Sequence, residues 1–263
     1  MASKSPCDPW RESAQLTVST VELLLLCAMA FLSSVWTSVI GVGGGPLLIS
    51  VMPGIVPAAA IIPVHGLVSL VGNLSRISFS VRDVVRSIFW PFLAGALIGA
   101  LVGTQIVIQF PADLLPLSIG IFILVTTWLP TPTFQAITAR GTVLKYWFLG
   151  AVQTFLSLFV GAVGPLASPF LIRDNLSRDE FVVTNASFAA TFHTLKALVF
   201  AFAGFSVTAF AVEIGCMIVA VILGSYVGMK LRGTVSEALF KRLLKILLTI
   251  LSLRMIFSYS LAV

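Results

Sequence analysis

Long apolar runs, separated by short polar or turn-rich stretches, follow one another along the chain after residue 20. Most runs are close to the length of about 20 residues that a helix needs to cross the hydrocarbon core of a bilayer. Barrel strands would instead alternate polar and apolar positions over about ten residues, and the chain lacks that alternation. The pattern predicts an all-α integral membrane protein with eight apolar segments. They cover 21–40 (continued by 47–52), 57–80, 88–108, 114–129, 143–160 (continued to 172), 181–203, 205–228 and 238–261.

Composition supports this prediction, because 58% of the residues are apolar and only 10% are charged. A soluble domain carries about 25% charged residues. The net charge of +6 would suggest a nucleic-acid partner in a soluble protein,. Here most basic residues lie between apolar segments, which favours a role in membrane orientation. We therefore expect a lipid bilayer, that of the cell (inner) membrane, and no nucleic acid as partner.

The first 20 residues are mixed and polar, and they are predicted to form a short N-terminal tail. Lys4 and Arg11 precede the first apolar run, as in a signal peptide. The apolar pattern continues to Ile40, beyond a typical signal core, which favours a retained first helix. Cleavage as a signal peptide remains the alternative.

The chain repeats its order of features after about 120 positions. Gly45-Pro46-Leu47 matches Gly164-Pro165-Leu166. The same spacing relates four further pairs: His65 and Asn185, Asn73 and His193, Arg76 and Lys196, and Gly95 and Gly215. Each half reads as an interrupted helix followed by three more helices. The domains are therefore a transmembrane repeat at 21–130, a linker at 131–141 and a second repeat at 142–263.

Basic residues indicate how the segments cross the membrane. If all eight segments were simple crossings, six basic loop residues would lie on each side. If each interrupted segment is a hairpin that returns to its own side, one face carries only Lys4 and Arg11. The other carries ten: Arg82, Arg86, Arg140, Lys145, Arg173, Arg178, Lys230, Arg232, Lys241 and Arg242. The bias toward positive residues on one side selects the hairpins and makes the two halves inverted repeats. Kinks in continuous spans are the alternative.

The two interruptions are candidate anion-binding elements. Adjacent glycines weaken a helix by about 1 kcal/mol each relative to alanine, and they leave backbone N–H groups that lipid cannot satisfy. A short helix that begins at Pro46 would direct its positive end at a cavity. Close helix packing through small residues is the alternative. The candidate residues are Gly43, Gly44, Gly45 and Pro46 in the first half, and Gly161, Gly164 and Pro165 in the second.

Polar residues on the helices after each interruption complete the candidate site. His65, Asn73 and Arg76 share one helix face, and Asn185, His193 and Lys196 repeat their spacing,. A buried cation in a membrane needs a partner, and a transported anion would supply one. In the alternative, Arg76 and Lys196 extend toward the lipid headgroups.

Three residues are candidates for ion coupling: His65, His193 and Glu213. A histidine can carry a proton near neutral pH, and Glu213 could carry one or pair with Lys196. The sequence shows no convincing catalytic constellation and no metal-ligand spacing. We therefore expect no enzyme activity, no cofactor and no metal.

Two Gly-Pro interruptions, each followed by a short apolar piece, resemble the TauE/SafE family of sulfite and organosulfonate exporters. The motif reads Gly41-Val42-Gly43-Gly44-Gly45-Pro46-Leu47-Leu48, with a weaker copy at Gly161-Ala162-Val163-Gly164-Pro165-Leu166. Gly95, Gly99 and Gly103 are similar to the family's small-residue helix. The resemblance covers roughly residues 20 to 260 and departs from the pattern at Val163, where glycine is usual.

This resemblance implies a secondary transporter that exports sulfite or related sulfonates. We expect alternating access around a site near the membrane midplane, between the two interruptions. A passive anion channel and a membrane interaction subunit without transport of its own are the alternatives. A homodimer is left open.

Overall fold

Helices make up most of the computed structural model, which describes residues 18–107, 109–128, 139–174, 176–232 and 237–260. These residues contain ten α-helices: α1 (Thr20–Ile40), α2 (Gly44–Ile49), α3 (Ala58–Phe79), α4 (Arg86–Val107), α5 (Leu115–Trp128), α6 (Ala139–Val160), α7 (Ser168–Arg173), α8 (Arg178–Phe202), α9 (Ala211–Leu231) and α10 (Glu237–Ser260). Single 3₁₀ turns lie at Val81–Asp83, Ala112–Leu114, Gly164–Ala167 and Val207–Phe210. The predicted all-α class is therefore confirmed for the described residues.

Each predicted apolar segment coincides with a helix, and the boundaries differ by a few residues. Within the described parts of the chain, five helical stretches are long and apolar enough to cross a membrane: Thr20–Ile40, Ala58–Phe79, Arg86–Val107, Thr142–Val160 and Val207–Leu231. The apolar helix α5 is shorter, and α8 and α10 are long helices outside this group of five. The chain is thus a multi-pass membrane protein. Most of the predicted tail and linker lies outside the described residues.

Glycines in the left-handed region terminate both interrupted helices. Gly41 follows α1 with φ of 92°, and Gly43 precedes α2 with φ of 99°. Gly161 follows α6 with φ of 74°. Residues with a Cβ rarely adopt such angles, so these glycines stop the helices where the sequence predicted interruptions. The predicted start of the short helix at Pro46 was wrong by two residues, since α2 begins at Gly44.

After the first interruption, the chain folds back along α1. A Cβ on Gly44 would lie 2.1 Å from the Ser33 carbonyl oxygen and 2.0 Å from Thr37 Oγ1. Ser33 precedes the end of α1 by about 10 Å along the helix axis. The first residue of α2 therefore lies beside the last two turns of α1 rather than beyond its end.

Pairs of helices from different halves pack tightly and run in parallel. Gly95 and Gly99 of α4 contact the backbone of Trp147 and Ala151 on α6. Gly224 and Gly228 of α9 contact the carbonyl oxygens of Phe31 and Val35 on α1 in the same way. In both cases the contact positions increase together along the two helices. Small residues allow the backbones to approach closely, as expected between membrane helices.

The central pair, α3 and α8, connects these two helix pairs. The rings of His65 on α3 and His193 on α8 lie 5.5 Å apart. The α8 residue Phe188 stacks on Phe92 of α4 with 3.9 Å between ring centroids. The α9 residue Ser225 donates to the Gly72 carbonyl oxygen of α3 at 3.4 Å. The two middle helices thus position polar side chains between the halves.

Candidate functional site

A cavity of about 60 Å³ lies where the two interruptions meet the middle helices α3 and α8. It is bounded by α1, α2, α3, α8, α9 and the turn at Gly164–Ala167. The structure brings ten of the predicted site residues to its wall: Gly43, Gly44, Gly45, Pro46, Asn73, Arg76, Gly164, Pro165, Asn185 and His193. His65 and Lys196 lie behind this wall rather than on it.

Arg76 is the cation that lines the cavity. Its side chain is buried, with 5% of the residue exposed. Nη2 donates to Asn73 Oδ1 at 2.7 Å, and Nη1 donates to Ser34 Oγ at 3.4 Å. Nε is buried and has no hydrogen-bond partner among the described residues. The alternative in which Arg76 extends to the headgroups is therefore wrong.

Asn73 orients this guanidinium from the preceding turn of α3. Its Nδ2 donates to the Ser69 carbonyl oxygen at 2.7 Å, which directs Oδ1 toward Arg76. The α3 spacing of three residues makes this contact possible on one helix face. The helix face predicted from the sequence thus holds the Arg76 guanidinium in place through Asn73. Its Nε donor has no partner among the described residues.

The cavity wall contains no carboxylate among the residues that the structure describes there. Charged residues are expensive inside a membrane protein unless something pairs with them. The two groups that accept hydrogen bonds from Arg76 are instead a neutral hydroxyl and a neutral amide. An electropositive cavity of this kind favours a small negatively charged ligand.

Lys196 is fully buried, and it is not one of the residues that line the cavity. Nζ donates to the Gly161 carbonyl oxygen at 2.6 Å and lies 3.4 Å from His193 Nδ1. Extension of Lys196 toward the headgroups is therefore wrong. Pairing of Lys196 with Glu213 is also wrong, because the ammonium contacts a carbonyl group and an imidazole. Glu213 lies in the first turn of α9, about 12 Å along the helix from Val221 at the cavity,.

His65 supports the first interruption from behind the wall. Its Nε2 lies 3.1 Å from the Gly45 carbonyl oxygen and 3.1 Å from Ser69 Oγ. Its Nδ1 is buried and has no hydrogen-bond partner among the described residues. His65 therefore holds the short helix α2 in place beside the cavity.

Two residues of α8, and Arg232 directly after α9, cap the end of α1. Asn185 Nδ2 donates to the Gly41 carbonyl oxygen at 2.7 Å. Arg178 and Arg232 each donate at 3.0 Å, to the carbonyl oxygens of Val39 and Ser38 respectively. The last carbonyls of a helix have no partner within the helix, so these donors stabilise the fold-back. Asn185 therefore lines the cavity, and one of its two amide N–H donors is bonded to the Gly41 carbonyl oxygen.

Hydroxyl groups of α1 are site residues that the sequence analysis missed. Ser33, Ser34 and Thr37 line the cavity together with Ser69 of α3. Ser34 Oγ donates to the Val221 carbonyl oxygen at 2.7 Å and lies 2.8 Å from Ser225 Oγ. The spacing of Ser33 and Thr37 by one helical turn was a usable signal, since it places two hydroxyls on one face of α1.

The fold and the cavity together define a class of protein, a multi-pass membrane protein with a cavity lined by a buried cation between two interrupted helices. A comparison with protein families agrees with this class, because the profile described as "Sulfite exporter TauE/SafE" matches residues 26–255. The chain belongs to the TauE/SafE sulfite exporter family. Members of this family are transporters rather than enzymes. Neither curated proteins nor solved structures gave a match in two further searches.

Proposed function

We propose that this chain is a secondary transporter that exports a small sulfur-containing anion, with sulfite as the first candidate and organosulfonates as further ones. The observation that carries the proposal is Arg76, a buried cation in a cavity whose described wall has no carboxylate. The anion would accept hydrogen bonds from Arg76 and from neutral donors beside it, such as the second amide hydrogen of Asn185,. Family membership favours sulfur anions over other oxyanions.

Cavity size supports a small oxyanion. A water molecule needs about 10–15 Å³ of such a cavity, so the volume fits roughly four to six non-hydrogen atoms,. Sulfite, with one sulfur and three oxygens, is within this range. The organic part of a larger sulfonate would have to extend beyond the cavity. We therefore expect tighter binding of sulfite than of sulfoacetate.

The transport cycle is proposed to use two inverted repeats. Several observations support the inversion. The contacts among α1, α3 and α9 indicate that these three helices run in the same direction. The contacts of α4 with α6 and α8 indicate that these three also run parallel to one another, in the direction opposite to the first group. The fold-back at Gly44 and the ten-to-two distribution of basic loop residues also favour hairpins,. One half would then move against the other around the cavity, as in other transporters with broken helices.

Labelling of single cysteines tests the hairpins. In this topology, position 55 follows the first hairpin and position 176 follows the second, so the two positions lie on opposite sides of the membrane. Ile55→Cys and Leu176→Cys should therefore react with an impermeant maleimide from opposite sides. Both positions are partly exposed in the structure. Reaction of both from one side would contradict the inverted arrangement.

Ion coupling is proposed to involve His65 or His193. Their rings are in edge contact, and His193 reaches the cavity wall. Glu213 is retained as the third candidate, although it lies outside the wall. A proton carried by a histidine would link the anion site to the pH difference across the cell (inner) membrane. The single chain forms the cavity, so the same cycle operates in a monomer or a homodimer.

Reconstitution of the purified protein in liposomes tests the function. Uptake of ³⁵S-sulfite should be saturable, and unlabelled sulfite on the opposite side should accelerate it by exchange. A passive channel would give an ohmic current and no such acceleration. An interaction subunit would give no flux of sulfite, sulfoacetate or thiosulfate, and that result would refute transport by this chain.

A further inference from the structure

The equivalent carbonyl groups of Gly41 and Gly161 have different hydrogen-bond partners. Both glycines follow the first long helix of their half and have positive φ. They are 120 positions apart. The Gly41 oxygen accepts from Asn185 Nδ2 at 2.7 Å, whereas the Gly161 oxygen accepts from Lys196 Nζ at 2.6 Å. The same turn is thus capped by an amide in one half and by a cation in the other.

His65 is the counterpart of Asn185, yet it does not cap Gly161. Its Nδ1 is buried without a partner among the described residues and lies 3.8 Å from where a Cβ on Gly161 would be. A protonated Nδ1 is a donor, as the Asn185 amide is. His65 Nδ1 thus lies near Gly161, whose carbonyl oxygen is occupied by Lys196 in this structure.

The two counterpart cations also occupy different positions. Arg76 lines the cavity, and its Nε has no hydrogen-bond partner among the residues that the structure describes. Its counterpart Lys196 does not line the cavity, and its Nζ lies 3.4 Å from His193 Nδ1. The absence of a side chain at Gly66 provides room for this position of Lys196, since a Cβ there would lie 2.9 Å from Lys196 Cδ. In this structure the cation of the first half, Arg76, lines the cavity, and the cation of the second half, Lys196, is hydrogen-bonded to the Gly161 carbonyl oxygen.

We propose that the two cations exchange these positions during transport. In the opposite state, Lys196 leaves the Gly161 oxygen for the anion, and His65 caps that oxygen as its Nδ1–H tautomer, with the hydrogen moved from Nε2, which releases the Gly45 oxygen. Arg76 then replaces Asn185 on the Gly41 oxygen. This inference rests on the proposed function, because it assigns Lys196 as the anion ligand of the second state. The anion passes from the guanidinium of one half to the ammonium of the other.

Burial gives a physical reason for such an exchange. A buried cation without polar partners is costly, so each cation needs a partner in both states. Each helix-end carbonyl is a neutral acceptor that has no partner within its own helix. With two such carbonyls and one anion, either state leaves one cation on the anion and the other on a carbonyl group. The two states then have matching sets of contacts, as a reversible carrier requires.

Substitutions of Lys196 separate binding in this state from transport. Lys196→Gln keeps a donor for the Gly161 oxygen and removes the charge, while Lys196→Arg keeps both. Because Arg76 is untouched, the dissociation constant of Lys196→Gln for sulfite should stay within about threefold of the unmodified protein. Its ³⁵S-sulfite exchange in liposomes should fall by at least about a hundredfold, the effect expected when a charged partner is lost. Lys196→Arg should retain exchange.

A second pair of variants tests the capping role of His65. His65→Asn supplies the amide that caps Gly41 in the other half, whereas His65→Ala supplies no donor. Exchange should be at least about tenfold faster in His65→Asn than in His65→Ala, the factor expected for one buried hydrogen bond. This pair decides the question if Lys196→Gln does not fold. Equal rates of ³⁵S-sulfite exchange in His65→Asn and His65→Ala would contradict the proposal.

The outcomes distinguish a failure of the proposed exchange between Arg76 and Lys196 from a failure of the proposed transport function. If Lys196→Gln exchanges sulfite at the rate of the unmodified protein, the second state does not use Lys196 and the inference is wrong. If folded Lys196→Gln loses binding and exchange together, Lys196 acts in the present state, which also refutes the inference. Failure of the unmodified protein to bind or exchange sulfite would instead refute the proposed function.

Discussion

Asn73 Oδ1 accepts a hydrogen bond of 2.7 Å from Arg76 Nη2, one helical turn further along α3. This contact positions the guanidinium at the cavity without neutralising it, because an amide oxygen is polar and carries no net charge. A carboxylate at the same position would satisfy the cation directly. The neutrality of residue 73 is therefore central to an anion site around Arg76.

Asn73→Asp should abolish sulfite binding although Arg76 remains in place. The new carboxylate would form a buried ion pair with the guanidinium and compete with the anion for it. We expect affinity to fall by at least about a hundredfold, as for the loss of a charged hydrogen-bond partner. Isothermal titration with sulfite checks this, and Asn73→Ser serves as the neutral control. Equal affinities of the two variants would contradict the proposed role of Arg76.

Gly44→Ala should destabilise the protein, because the new methyl group would meet the Ser33 carbonyl oxygen and Thr37 Oγ1. Overpacking of this kind costs about 1–3 kcal/mol. Gly164→Ala is the matched control in the second interruption, where a Cβ would meet no atom of the described residues within 4 Å. Thermal unfolding of both variants in detergent should show a lower melting temperature for Gly44→Ala alone. A normal melting temperature of Gly44→Ala would argue against the fold-back.

Gly95→Ala tests the packing of α4 on α6. A Cβ at Gly95 would lie 1.7 Å from the Trp147 carbonyl oxygen, so the helices would have to separate. At its counterpart Gly215, no atom of a described residue lies within 4 Å of an added Cβ. We expect Gly95→Ala to lose about 1–3 kcal/mol of stability and Gly215→Ala to lose little. Comparable melting temperatures of the two variants would contradict this helix pairing.

Asp174→Asn should lower stability without weakening sulfite binding. Asp174 pairs with Lys145 Nζ at 2.7 Å and accepts from Tyr146 Oη at 2.7 Å, joining the start of α6 to the residue after α7. The pair is partly exposed, so we expect a loss of about 1–2 kcal/mol. Melting temperature and sulfite affinity measured together check this. A changed affinity would mean that this contact is coupled to the cavity.

Hydropathy was sufficient to predict the helices, because lipid leaves a spanning backbone few choices. Clusters of glycine and proline also indicated the two interruptions, since Gly41, Gly43 and Gly161 adopt angles that other residues avoid,. These properties are local, and a single sequence carries them. The agreement between predicted segments and observed helices follows from this.

The hydroxyl-bearing face of α1 and the position of Lys196 could not be obtained in the same way. Ser33 and Thr37 reach the cavity only because the chain folds back onto α1 at Gly44. Lys196 matches Arg76 in spacing, yet the nearby Gly161 carbonyl group takes its ammonium. Such competition between partners depends on tertiary distances of a few ångströms, which residue spacing does not encode.

Sulfite-induced stabilisation of Arg76→Met tests the central claim most directly, with the surface variant Arg254→Met as control. At a ligand concentration of 100 times the dissociation constant, binding stabilises a protein by about 2.7 kcal/mol. The unmodified protein and Arg254→Met should show this rise in melting temperature on addition of sulfite, and Arg76→Met should show none. An equal rise in Arg76→Met would contradict an anion site built around the buried guanidinium.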